Sequence, residues 1–373
     1  MLIFGILKYH ILQLVNMSHI KQLHSFALIV FIFGCVTAFG QSRDYKALTV
    51  AAYNLENLFD TINDPNKRDH QNPIGEMSPE EARIVYPKKL ANMARVIADI
   101  GTEETGFPPA ILGVSEIENY KVLEDLVNQP RLKNYNYGII HYDSPDRRSI
   151  DVALLYRKDV FKPLYHEPHE VVLYDRNDRT KRRYTRDVLY VKGLLDGEEM
   201  HFLVNHWPSR GGGEKVSRPN RVKAAKVAKA VIDSVQAVEP EAKIILMGDL
   251  NDGPYNESVK VAIGAIDDRD KLEVPTGIYN PYEAMYKKGA GTIAWRDGLD
   301  VFDQIMFTQP LTRRDDFSSY RYYKAFIFNP PYLITPRGRW KGYPFRSFAG
   351  SAWTGGYSDH FPVYIVLIKE LEN

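Results

Sequence analysis

The sequence predicts an α/β protein, and three observations carry that expectation. Short apolar runs of strand length recur along the chain, at residues 47–53, 110–114, 152–156, 244–247 and 363–368. Two segments, residues 87–100 and 218–235, instead space their apolar side chains at helical intervals. The polar residues best suited to chemistry stand where the apolar runs end, as loop-borne sites on a rigid scaffold do.

The 373 residues are 44% hydrophobic and 25% charged, enough to bury a sizeable core. A formal net charge of +1 excludes a general polycation coating nucleic acid, while leaving room for local basic patches. Residues 25–40 carry no charge, follow Lys21 and His24, and end in Ala38-Phe39-Gly40, a small-x-small site before Gln41. Residues 1–40 are therefore expected to be a signal peptide, with Met17 an alternative start and residues 41–373 a single domain. The segment is short for a membrane span, so the mature chain is expected to be exported, periplasmic or secreted. Acylation at Cys35, the only cysteine, ranks second because bulky Phe33 fits a lipoprotein site poorly. Cleavage would leave no cysteine, which excludes disulfides, thiol nucleophiles and thiolate metal sites.

In order along the chain, residues 47–53 lead into Asn54-Leu55-Glu56-Asn57. In an extended backbone Asn54 and Glu56 share a face. Pro87 is placed in the first turn of the 87–100 helix, with Gly101 beyond its end. The run at 110–114 is closed by Ser115-Glu116-Ile117-Glu118-Asn119, and a helix is expected over 120–128. Strands are expected at 135–142 and 152–156. Asp151 stands at the mouth of the second, near Arg147 and Arg148. Arg148 and Asp151 fit a structural ion pair or a phosphate contact equally well. Residues 175–187 form a basic run interspersed with acids, read either as a solvated loop or as a track for a phosphate backbone.

Strands near 188–195 and 200–205 follow, the second ending in Asn205-His206-Trp207-Pro208. Beyond it Arg210 and three glycines offer a charged fork and a backbone able to approach an anion. The 244–247 run stops at Gly248, and Asp249 and Asn251 emerge beyond it, on one face if the backbone stays extended. Asp303 interrupts the apolar run 301–307, which is costly unless it is paired, and a histidine is the natural partner. Residues 329–346 mix prolines and aromatics with Arg337, Arg339, Lys341 and Arg346, a pattern suited to phosphate contact and base stacking or to a long surface loop. Ser358-Asp359-His360 precedes the last strand, with both Asp359 and His360 expected at the sheet's rim.

In order these pieces read N-x-E, S-E, N-H, G-D-x-N, D-Q and S-D-H. That series resembles the endonuclease/exonuclease/phosphatase superfamily, which includes pancreatic-type deoxyribonuclease, over residues 48–368. Asn54–Phe59, Glu116–Asn119 and Asn205–Arg210 are most similar to secreted bacterial nuclease-like members. Ser115 stands where many relatives carry Gln, and Ser149 follows Arg148 where similar secreted proteins often have Gly.

The resemblance implies a four-layer α/β sandwich, two packed mixed sheets flanked by helices. It also implies a metal-dependent phosphoesterase, most simply a nuclease acting on nucleic acid as a monomer, with Mg²⁺ or Mn²⁺ and Ca²⁺ as a further candidate. By resemblance Glu116, Asn54, Glu56 and Asp359 are metal ligands. His206, Asp249, Asn251, Asp303 and His360 are catalytic, and Arg148, Arg210, Arg337 and Arg339 contact substrate. His360 is implied as general base or water-orienting group, Asp303 as the holder of its tautomer, and Asp249 as the activator of water. Asn251 is implied as a donor to a phosphate oxygen, and His206 as a contact to the scissile phosphate. A phosphatase or phosphodiesterase on small, sugar or lipid phosphates is the alternative, since one fold hosts both. A non-catalytic binding protein ranks last, because the whole polar set is present.

Overall fold

The computed structural model describes residues 43–371 apart from 297. The expected signal segment, Cys35 and the cleavage site before Gln41 lie outside the described residues.

Two sheets form the body. The first has six strands in the order Arg321–Ile327, Val363–Glu370, Tyr45–Leu58, Ile111–Ile117, Asp151–Arg157 and Tyr137–His141. The second has seven, in the order Ala265–Ile266, Ile278–Tyr279, Asp303–Thr308, Ile244–Asp249, Glu198–His206, Val188–Leu195 and Phe161–His169. Both sheets are mixed. Tyr45–Leu58 runs parallel to Ile111–Ile117 and antiparallel to Val363–Glu370, while Ile244–Asp249 runs parallel to Glu198–His206 and antiparallel to Asp303–Thr308.

The alternation of side chains along each strand builds the layers. Val50 and Ala52 of the first sheet join Val204, Ile245, Met247 and Ile305 of the second in the core between the sheets. Their neighbours Ala51 and Tyr53 face the other way and pack on Leu90, Met93 and Ile97 of the Pro79–Asp99 helix. Leu203, Ile244 and Leu246 likewise cover Ala225, Ala228 and Ile232 of the Glu214–Val238 helix. Helix, sheet, sheet and helix therefore stack in four layers. Central strands are apolar on both faces because both faces are covered. Gly113 lies where the sheets meet closely, since a Cβ there would stand 2.9 Å from Met247 Sδ.

Both long helices begin earlier than the sequence predicts. The first spans Pro79–Asp99, so Pro87 sits inside it and not in its first turn. Ser78 supplies the N-cap, accepting the Glu81 N–H, with Pro79 at the first helical position. The second spans Glu214–Val238 with Pro219 inside. In both, burial of an amphipathic face outweighs the interior proline's cost of roughly 3 kcal/mol. Four strands of the two sheets escaped the sequence reading: the two-residue Ala265–Ile266 and Ile278–Tyr279, and the longer Phe161–His169 and Arg321–Ile327, each of the latter at one edge of its sheet and too polar to read as an apolar run.

Candidate active site

Register alone brings three site residues into a row. Asp249 pairs with Asp303 on one neighbouring strand and with His206 on the other. Gly248 makes this approach workable: its φ is +132°, and a Cβ would fall 2.0 Å from the Asn205 carbonyl oxygen. Asn54 arrives from the other sheet, at the point where the pairing between Tyr45–Leu58 and Ile111–Ile117 slips. Glu56, Asn57, Glu116 and Asn251 all adopt left-handed φ, at 47°, 55°, 57° and 50°. Such conformations are costly for non-glycine residues and concentrate at functional sites.

Asp249 is the hub. Its Oδ2 accepts from Asn54 Nδ2 at 3.0 Å and from Asn251 Nδ2 at 3.4 Å, and lies 3.5 Å from His206 Nε2 and 3.8 Å from His360 Nε2. Its Oδ1 accepts the Asn251 backbone N–H at 2.8 Å. Asn251 therefore meets Asp249 through a turn, not through extended alternation as expected. His360 Nδ1 is bonded to Asp303 Oδ2 at 2.7 Å. Ser358 secures the preceding loop, donating to Asn54 O and accepting the His360 N–H. Glu116 borders the cluster, with Oε1 3.9 Å from His206 Nε2 and Oε2 accepting the Asn57 N–H.

Burial and charge set the protonation states. Desolvation, with the Asp303 and Glu116 charges, pushes Asp249 up to about 6 against the pull of His360. Burial opposes charge on His360, but Asp303 and Asp249 outweigh it and hold its pKa well above the usual value. Burial and the Arg186, Arg148 and His360 charges hold His206 well below that value. The site thus pairs an imidazolium at 360 with a neutral imidazole at 206.

Glu116, His206 and Asp249 offer one ligand atom each within 4.8 Å of one another, a donor set suited to a divalent cation. His206 Nδ1 and Asp303 Oδ1 are buried without hydrogen-bond partners among the described residues, so the site has polar capacity to spare. The other expected ligands are engaged with protein partners. Left-handed φ at Glu56 breaks the i, i+2 relation with Asn54, whose amide goes to Asp249. Glu56 turns instead to the Ser347 and Phe348 N–H groups and the Arg346 guanidinium. Asp359 is half-buried and pairs with Arg346 at 3.1 Å. Glu56 is pushed up to about 8 by burial and the Asp359 charge, while Lys89 beside it is pulled down to about 8 by burial.

Arg210 corrects an expectation. It is buried, stacks on Phe302 and donates to Asn251 O, Asp252, Asp300 and Asn256. Its fork braces the Asn251 loop from behind and does not face an anion. His360 is buried too, not at an open rim. Arg148 pairs with Asp146 at 3.7 Å, whereas Asp151 is bonded to His141 at 3.0 Å and to the Ser144 N–H. Arg337 and Arg339 stand exposed on the loop between Ile334 and Pro344, with Arg339 over the Trp340 ring. Residues the sequence reading passed over include Arg186, buried and donating to His206 O and Trp207 O, and Lys89, buried and donating to Leu55 O, Ser347 Oγ and Tyr357 O. Their only sequence signal is a cation within or beside an apolar-spaced element.

A basic groove of about 690 Å³ reaches Pro208 and Ser209, on the loop that follows His206. Arg68, Arg147, Arg148, Lys181, Arg182, Arg183 and Arg186 line it beside only two acids, Asp146 and Asp175. Tyr184 lies in the same wall, packed against the Arg147 and Arg182 guanidinia.

Residues 49–369 match the model of the Endonuclease/Exonuclease/phosphatase family, and the chain belongs to that family of phosphate-ester hydrolases. Its members are generally dependent on a divalent metal. Among curated protein sequences none matches. Similar solved structures include a family protein from Bacteroides thetaiotaomicron, 16% identical over 89% of this chain and 98% of that one, with a TM-score of 0.51. Another is from Bacteroides vulgatus, 16% identical over 87% and 99%, with a TM-score of 0.50. A third is D. rerio TDP2 complexed with single strand DNA product, 14% identical over 86% and 98%, also at 0.50. At these identities the likeness is one of fold. Among the described residues no helix is long and apolar enough to cross a membrane.

Proposed function

We propose that the chain is an exported, Mg²⁺- or Mn²⁺-dependent phosphodiesterase that cleaves nucleic acid. The observation that carries this reading is the basic groove running up to the loop of His206. A lone phosphomonoester needs two or three cations, whereas seven lining one groove suit a polyanion held at several phosphates. Tyr184 adds a ring on which a base can stack. The D. rerio TDP2 structure holds a single strand DNA product, which agrees with such a substrate on this fold. Export rests on the charge-free stretch 25–40 of the sequence.

In this reading Glu116 is the principal metal ligand, with Asp249 and His206 in reach and Asp359 beyond the Arg346 bridge. A divalent cation bound there neutralises charge gathering on the phosphoryl oxygens. Asp249, raised towards neutrality, accepts the proton of the attacking water. His360 is already an imidazolium and acts as a donor to an anionic oxygen, with Asp303 holding its ring. His206 stays neutral and offers Nε2 to the metal or the phosphate. Asn54 and Asn251 fix the Asp249 carboxylate in one orientation. Arg148 carries the groove to the reacting phosphate.

Binding of a labelled single-stranded DNA 20-mer, in EDTA so that no turnover occurs, tests the groove. Affinity should fall steeply with salt, and Arg147→Ala/Arg182→Ala should flatten that slope. Equal slopes for wild type and variant would remove the support for a nucleic-acid substrate and leave small phosphate esters.

A further inference from the structure

We infer that Glu199, His201 and Glu239 form a second divalent-cation site of the zinc type, at the end of the second sheet away from the active site. His201 stands five positions before His206 on the same strand, roughly 16 Å away in an extended backbone. Glu199 and His201 share the strand face that carries Leu203 onto the long helix. Glu239 follows the last residue of that helix, donating its N–H to Val235 O.

The three ligand atoms lie within 4.8 Å of one another. His201 Nε2 is 3.7 Å from Glu199 Oε1 and 3.9 Å from Glu239 Oε2. Tetrahedral ligands at about 2.1 Å from an ion stand about 3.4 Å apart, so the imidazole is within about half an ångström of that spacing from each carboxylate. Two independent features point to a cation. His201 is 2% exposed, yet its Nε2 has no hydrogen-bond partner among the described residues. A buried nitrogen left so is costly unless something binds it. Its Nδ1 lies 2.8 Å from Tyr190 Oη, and Nδ1–H donation to that oxygen aims the Nε2 lone pair at the two carboxylates. The helix also presents its partial negative charge here, with no basic residue in its last turn.

Lys192 is the competitor, bonded to Glu199 Oε1 at 2.6 Å. It neutralises one carboxylate, leaves Glu239 to the cation, and would move off Glu199 when an ion binds. One imidazole with two carboxylates is a donor set zinc accepts readily, and the ion would staple the helix end to the strand.

The test is zinc stoichiometry by equilibrium dialysis of the full chain after chelator stripping, in wild-type and Glu116→Gln backgrounds. Glu239→Gln, at a half-exposed position that leaves folding intact, should remove one equivalent of zinc in both backgrounds, weakening that equivalent at least tenfold. In the Glu116→Gln background it should also abolish the rise in Tm that zinc gives, and in the wild-type background Mg²⁺-supported hydrolysis should be unchanged. Lys192→Met should tighten the same equivalent, and His201→Gln should lose it. Zinc content and Tm shift unaltered by Glu239→Gln would overturn the site, whatever becomes of the phosphodiesterase reading.

Discussion

Asn54 donates its side-chain N–H to Asp249 Oδ2 at 3.0 Å, across 195 positions of sequence and from one sheet to the other. The bond ties the centres of both sheets together at their shared end. It also holds one carboxylate oxygen in place between two histidines, one protonated and one neutral.

Asp249→Asn should remove activity while raising stability. Burial disfavours the Asp249 charge, and the folded value of about 6 lies above its ordinary 3.8. Above that folded value the charge is a burden on the native state, of order 1–2 kcal/mol after loss of the His360 attraction is allowed for. Asparagine keeps an acceptor for Asn54, gives up the one for the Asn251 N–H, and relieves the larger burden of the charge. Turnover should fall about 10³-fold or more while the urea midpoint at pH 8 rises. A lower midpoint would show that the charge stabilises the fold.

Asp303→Asn tests the pairing with His360. Asp303 gives the largest upward push on the His360 pKa, so its removal should bring that value down towards 6.5. Activity should drop about 10²-fold or more, and the alkaline limb of the rate profile should shift to lower pH. An unshifted limb would detach that titration from His360.

Stability should peak near neutral pH, because the two site histidines oppose one another. His360, held above 6.5 when folded, contributes stability that is whole below 6.5 and is lost as pH rises through its folded value. His206 is held below 6.5, so as pH falls through 6.5 only the unfolded chain takes up the proton and the native state loses ground. His206→Asn should flatten the acid side of a plot of urea midpoint against pH, and Asp303→Asn the alkaline side.

Arg210→Met should destabilise the chain by roughly 3–5 kcal/mol, because Asp252 and Asp300 lose a buried partner. It should also lower activity through the loop of Asn251, whose carbonyl Arg210 holds. Chemical denaturation and kinetics on the same preparation check both effects. Full stability with lost activity would return Arg210 to the substrate.

Much of this arrangement was legible in the sequence. The apolar run 244–247 and its Gly248 stop announce a buried strand, and the charge of Asp303 among apolar neighbours asks for a partner, found in His360. What was not legible depends on backbone departures and distant pairing. Nothing local signals that Glu56 and Glu116 turn left-handed, so Asn54 and Glu56 read as neighbours on one face although they diverge. Arg210 reads as a substrate contact, Arg186 as one cation of a basic loop, and Lys89 as an unremarked position in a helix. Their partners are backbone carbonyls and carboxylates brought in from elsewhere in the chain, which no spacing encodes. Pro87 reads as a helix start because a cap is a local signal, while the packing that overrides an interior proline, there and at Pro219, is not.

The most direct test of the central claim is nicking of supercoiled plasmid by residues 41–373 with Mg²⁺ or Mn²⁺, beside a panel of phosphomonoesters and the Asp249→Asn variant. Nicking that EDTA and the variant both abolish, with little phosphate released from the panel, is the predicted result. Phosphate release from the panel with plasmid left intact would contradict it.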